Sequence, residues 1–247
     1  MKKNLILTTL ALFAICNFGV AQEKIHIDNV SAGDNLSEKI DRNIIFRFEQ
    51  FVDGNVLLKD GKTTPAKLNY NTLTQEMQFI GDGDKILSLG KPENVEYITM
   101  GGKVFFHSSG KKFAELLALG EVQLLVDRRT ESDVMETKNG AYGRSSVTSA
   151  TTSYSSAMVD VQRGGALNYV KNLSEITNVR FKILDVFMLK EKGKFIKITG
   201  EKQFLKAFPK YVDDIKKYVA SHKINFSNEQ DLIKLTNFCN QLVNVNK

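Results

Sequence analysis

Ala66-Lys67-Leu68-Asn69-Tyr70-Asn71 alternates apolar and polar residues without a break. A period of two sets Ala66, Leu68 and Tyr70 on the buried face of a strand and turns Lys67, Asn69 and Asn71 to water. Upstream, Ile44, Phe46 and Phe48 alternate with Arg47 and Glu49 and predict another strand. Tight-turn signals separate such runs: Asp53-Gly54, Asp60-Gly61, Gly81-Asp82-Gly83-Asp84 and Gly101-Gly102. Asp-Gly and Gly-Gly supply the positive φ angles that hairpin turns require. Further strands are expected at residues 85–89, 95–100, 103–107 and 121–128. Residues 113–119 are ambiguous, with Leu and Ala favouring a helical turn and the neighbouring runs a strand. Pro65 sits at a strand start, where its missing N–H does least harm. Short strands at this spacing predict an antiparallel meander over residues 22–136.

The pattern changes after that. Between Ser145 and Ser156 nine of twelve residues are Ser or Thr, with Gly140, Gly143, Gly164 and Gly165 on either side. Such a stretch offers little apolar surface to bury, so residues 137–165 are expected to form a loop or linker. Periodicity returns in residues 166–247. Val186-Phe187-Met188-Leu189 and Phe195-Ile196-Lys197-Ile198 flank a turn at Gly193 and predict a hairpin. Helices follow. One stops at Pro209, and a second places Val212, Ile215 and Val219 on one face. Ser227-Asn228-Glu229-Gln230 fits a capping box in which Ser227 accepts from the Gln230 N–H. It opens a helix with Leu232, Leu235, Cys239 and Leu242 in one apolar stripe. The fold class expected is α+β, an N-terminal antiparallel β-meander followed by a C-terminal β-hairpin and helices.

The N-terminus carries an address. Lys2 and Lys3 precede an apolar stretch from Leu5 to Phe18, and Gly19-Val20-Ala21 ends it before Gln22. This is the pattern of a signal peptide over residues 1–21, with cleavage after Ala21. The stretch is shorter than the about 20 residues a membrane span needs. Ile15 before Cys16 disfavours a lipoprotein site, which takes a small residue there. The expected location is therefore the exported space, periplasmic, outer-membrane-associated or extracellular, with no transmembrane span in the processed chain. Removal of residues 1–21 leaves Cys239 as a lone cysteine, so a disulfide scaffold is not expected.

The net charge is +6. A mild positive excess favours anionic envelope surfaces. Nucleic acid is not expected as a partner, because the lysines are scattered and no aromatic-basic reader motif occurs. The lysines of the C-terminal helices, Lys202, Lys206, Lys210, Lys216, Lys217, Lys223 and Lys234, can serve as a basic face for acidic glycans or lipid headgroups. The reading expected for them, however, is a plain solvated helical face, with the binding face as the alternative.

No residue pattern commits to catalysis. Cys239 reads as a small buried hydrophobe on its stripe. His107 is followed by Ser108, a fragment of a hydrolase site, but no Gly-x-Ser-x-Gly elbow is present and adjacent strand residues point to opposite faces. His26 lies near the processed N-terminus, and His222 ends a helix, where the dipole favours a cation. Asp82 and Asp84 suit a hairpin turn better than a calcium loop, which needs a longer ligand series. The glycines follow no phosphate-binding pattern. No catalytic, cofactor-binding or metal residue is assigned, and no cofactor is expected.

Three stretches carry a family resemblance. They are Asp60-Gly61 through Ala66–Asn71 to Glu76-Met77-Gln78-Phe79-Ile80; Ala141-Tyr142-Gly143-Arg144-Ser145-Ser146 with its Ser/Thr tail; and Phe204-Leu205-Lys206-Ala207-Phe208-Pro209 through Lys223-Ile224-Asn225-Phe226 to Asp231-Leu232-Ile233-Lys234-Leu235. Together they resemble exported proteins of Bacteroidota-type bacteria to which no activity is assigned. The resemblance implies an envelope location in a two-membrane cell and carries over no site residue. The function expected is a non-catalytic binding or interaction protein of the cell envelope. Its partner would be an anionic envelope component or another envelope protein. A hydrolase of envelope polymers, with a site formed only in the fold, is the alternative. A third reading is pairing with a partner strand at an exposed sheet edge.

Overall fold

A computed structural model of the chain describes the backbone of residues 24–30, 41–136 and 177–245, and the side chains of residues 41–131 and 180–244. The signal peptide expected at residues 1–21 and the Ser/Thr-rich segment expected at 137–165 lie outside the described residues. Eleven strands form one antiparallel sheet. They are β1 (Lys24–Val30), β2 (Val52–Leu58), β3 (Thr63–Asn71), β4 (Glu76–Ile80), β5 (Ile86–Ser88), β6 (Val95–Met100), β7 (Lys103–Ser109), β8 (Lys112–Ala118), β9 (Gln123–Glu136), β10 (Thr177–Glu191) and β11 (Lys194–Lys197). Four helices accompany them: α1 (Arg42–Ile45), α2 (Glu201–Leu205), α3 (Val212–His222) and α4 (Glu229–Val245).

The strand order is β1-β10-β9-β8-β7-β6-β2-β3-β4-β5, with β11 also on β10. Two meanders are thus joined by one return. β2 to β5 run consecutively, and a 3-10 turn at Pro92–Asn94 then brings β6 back to the free side of β2. From β6 the chain runs consecutively to β11. The expected C-terminal hairpin belongs to the same sheet, since β9 and β10 pair at fourteen registered positions, from Thr177↔Glu136 to Lys190↔Gln123.

The sheet curls back on itself. β3 and β9 are separated in strand order by four other strands, roughly 24 Å in a flat sheet. Yet the Thr130 N–H donates to the Thr72 carbonyl at 2.9 Å, and the two threonine hydroxyls lie 3.0 Å apart. Thr130 Oγ1 also donates to the Ile44 carbonyl at 2.7 Å. The concave face holds two apolar clusters. One contains Val56, Leu68, Tyr70, Met77, Ile98, Phe105 and Phe113. The other joins Leu124, Val126, Phe187 and Leu189 of the sheet to Phe204, Ile215, Leu232, Leu235 and Cys239 of the helices. Glu115 stands directly opposite Phe105 on β7 and Val126 on β9, one residue from each cluster. Residues directly opposite share a face, so the clusters lie on one face with Glu115 between them.

Most expected strands and turns are present, and of the ambiguous residues 113–119 all but Leu119 fall in strand β8. Four local readings are corrected. Residues 44–48 are not a strand: Asp41 accepts from the Asn43 N–H and opens α1, whose single turn buries adjacent Ile44 and Ile45. Asp53-Gly54 is not a turn but lies inside β2, where glycine permits a close approach to β6. Asn69 and Asn71, expected in water, are buried. Asn69 accepts from the Phe48 N–H and donates to the Phe48 and Gln50 carbonyls. Asn71 accepts from the N–H groups of Leu73 and Thr74. Finally, α4 is capped by Asn228, which accepts from the Asp231 N–H at 3.0 Å, and not by Ser227. The helix begins at Glu229, so Asn228 is the residue one step before its first turn.

Candidate functional site

The charged groups of this chain divide into an inner set and an outer set. The inner set is centred on Glu115, whose side chain is 1% exposed. Arg47 Nε lies 2.7 Å and Arg128 Nε 3.2 Å from its Oε2, and Lys103 Nζ 2.7 Å from its Oε1. Arg128 continues outward: Nη1 is 2.6 Å from Asp185 on β10 and Nη2 is 2.6 Å from Glu229 on α4. Three cations therefore meet three carboxylates. Burial pushes the Glu115 carboxyl up, but hydrogen bonds from Arg47 and Lys103 and the charge of Arg128 outweigh it and hold the group at about 2. Burial weakens the Arg128 charge, and Asp185, Glu115 and Glu229 more than restore it. The set is internally neutralised and acts as a clasp between sheet and helices.

A second carboxylate is less well served. Asp127 on β9 is buried, its Oδ1 makes no hydrogen bond, and burial raises its pKa despite the charges of Arg129, Lys112 and Lys197. The Tyr70 hydroxyl is likewise buried, and burial followed by the Asp127 charge pushes its pKa up.

The residues weighed from sequence for chemistry do not come together. His107 Nε2 is 2.8 Å from the Gly110 carbonyl, and its ring meets Phe113 edge-on. Ser108 Oγ donates to the Lys112 carbonyl. Cys239 is fully buried, and burial pushes its thiol up to about 12. His222 stacks on Tyr218, with Nδ1 3.0 Å from the Tyr218 carbonyl. Asp82 and Asp84 form a 3-10 turn with Gly83 at φ +67. His26 lies in β1, where its backbone stands opposite Arg180 of β10. Among the described residues no three His, Cys, Asp or Glu side chains are grouped to hold a metal ion. No helix among them is long and apolar enough to cross a membrane.

The outer set is lysine. Residues 190–234 contain eleven lysines, six acidic residues and no arginine. Ten of those lysines are exposed: Lys192, Lys194 and Lys197 in the β10–β11 hairpin, and the seven helical ones noted above. Among the described residues none of the ten holds an ion pair. In residues 41–131 Lys62, Lys67, Lys103 and Lys111 are paired with carboxylates, while the exposed Lys59, Lys85 and Lys91 hold no ion pair among the described residues. Sequence reasoning found the helical lysines but missed the Glu115 clasp. The missed signal was a lone Glu in the apolar run of β8.

Compared with known proteins, the chain matches no family model, no curated protein and no solved structure.

Proposed function

We propose that this is an exported, non-catalytic binding protein of a bacterial cell envelope, and that it engages an anionic envelope component through the lysines of its hairpin and helical layer. The observation that carries the reading is the division of charge. The inner cations are consumed by Glu115, Asp185 and Glu229, while among the described residues ten exposed lysines of residues 190–234 hold no ion pair. Unpaired exposed cations raise the local potential and attract polyanions. The N-terminal Lys-Lys, apolar stretch and Gly-Val-Ala end support export.

The test is co-sedimentation of the processed full-length protein with outer-membrane and cell-wall fractions across a salt series. Retention at low salt that weakens steeply as salt rises is the expected result, because exposed charge contacts are screened. Absence of retention at low salt overturns the reading.

A further inference from the structure

We propose that the partner of the lysine layer is the headgroup surface of an anionic bilayer, held as a diffuse contact and without insertion. The inference rests on the binding reading above and specifies its partner.

Three observations select a membrane surface over a discrete ligand or a glycan. The first is residue type. The last arginine is Arg180, so the whole layer presents ammonium groups and no guanidinium fork. Discrete phosphate or carboxylate sites favour the planar, bidentate arginine, whereas lysine acts as a hydrated point charge. The chain does use arginine where geometry is demanding: Arg47 and Arg128 bond Glu115, and Arg42 donates to the Glu49 carbonyl.

The second is the spread of the charges. Lys210 lies in the turn before α3, and Lys223 caps its far end. Eleven helical residues separate them, about 16 Å. Lys234 adds a further exposed charge on α4. One small ligand does not reach across such an array, but an extended sheet of headgroups does. Each lysine near an anionic membrane contributes about 1 kcal/mol.

The third is the aromatic side chains. Sugar recognition needs an open ring for stacking. Here Phe204 packs on Phe208 and Phe226, with centroids 5.4 and 5.9 Å apart, and Tyr218 packs on Phe238 at 4.1 Å. These rings of the layer are taken up by one another. Among the described residues the exposed large hydrophobics are Leu87 and Leu119, neither of them in the hairpin or the helices. The layer thus offers charge and no apolar wedge, which makes the contact peripheral and reversible by salt.

The test uses vesicles of phosphatidylethanolamine and phosphatidylglycerol in equal parts, vesicles of phosphatidylethanolamine and phosphatidylcholine, and immobilised polygalacturonate as a soluble-type polyanion. The full-length processed protein is compared with a variant carrying Lys202→Gln, Lys206→Gln, Lys210→Gln and Lys217→Gln. A control variant carries Lys62→Gln and Lys67→Gln. The expected result is binding to the phosphatidylglycerol vesicles alone, reversed by salt, weakened at least about tenfold in the fourfold variant and unchanged in the control. Circular dichroism confirms that each variant is folded. Binding to polygalacturonate and not to vesicles overturns the bilayer inference and leaves the binding reading standing. Equal binding to neutral vesicles, or a fourfold variant that binds like the parent, also overturns it. Retention on none of the three, together with none on envelope fractions, removes both.

Discussion

Arg128 on β9 and Glu229 at the start of α4 are joined by an ion pair of 2.6 Å across 101 positions of sequence. It fastens the helical layer to the sheet at the point where Arg128 also bonds the buried Glu115. Glu229 lies in the first turn of its helix, where a negative charge is also favoured by the helix dipole.

Removing Arg128 is therefore costly. Arg128→Ala leaves Glu115 with two of its three cations and strips Asp185 and Glu229 of their partner. We expect a loss of about 3–5 kcal/mol. Glu229→Gln, which keeps shape and removes one more exposed charge, should cost about 1 kcal/mol. Urea unfolding of both variants checks the ratio.

The pH dependence of stability should be split between two carboxylates. Glu115 has a folded pKa of about 2 against an ordinary 4.5. Its contribution is fully present above 4.5 and is lost as pH falls towards 2. The depression corresponds to a contribution on the order of 3 kcal/mol. Urea midpoints measured from neutral pH downward should fall across this window in the parent and much less in Glu115→Gln, which should also start less stable.

Asp127 has the opposite sign. Burial raises its pKa, so its charge is a penalty at neutral pH that is relieved as pH falls through the folded value. Asp127→Asn should raise the thermal midpoint at neutral pH, with a gain of about 1 kcal/mol. A lower midpoint would show that the carboxylate is needed.

Gly54 should not tolerate a side chain. A Cβ there would lie 2.5 Å from the Thr99 carbonyl oxygen and 2.8 Å from Met100 Cβ. Gly54→Ala forces β2 and β6 apart, and a loss above about 2 kcal/mol is expected. Gly61 has φ +85 but open space around it, so Gly61→Ala should cost only about 1 kcal/mol. Thermal melts of the pair distinguish crowding from backbone strain.

Asn240 holds the turn before β9 to α4: it accepts from the Val122 N–H and donates to the Val122 carbonyl. Asn240→Ala leaves both backbone groups buried and unpaired, a cost of about 2–4 kcal/mol. Cys239, one residue earlier, should resist thiol reagents in the native protein and react only after unfolding. Labelling rate against urea concentration therefore reports the same opening.

The strands and their turns were legible because their signals are local. Alternation around Leu68 and Tyr70, and glycines at positive φ at Gly101, Gly102 and Gly193, act over a few residues. Helix α1 was misread because Ile44, Phe46 and Phe48 fit a strand period, while the deciding bond is made by the single Asp41 carboxylate. The lysines of the proposed contact surface were visible as residues, but that they hold no ion pair among the described residues was not.

By itself the sequence determined the fold class and the C-terminal concentration of lysine, because periodicity and composition are properties of neighbouring residues. The tertiary structure decided that β6 returns to β2, that the sheet curls until Thr130 meets Thr72, and that Glu115 is buried among Arg47, Lys103 and Arg128. Arg47 and Glu115 are 68 positions apart, and Arg128 and Asp185 are 57 apart. No local pattern marks such pairs, since what brings them together is the burial of two apolar clusters on one curled face, and desolvation then makes each charge require its partner.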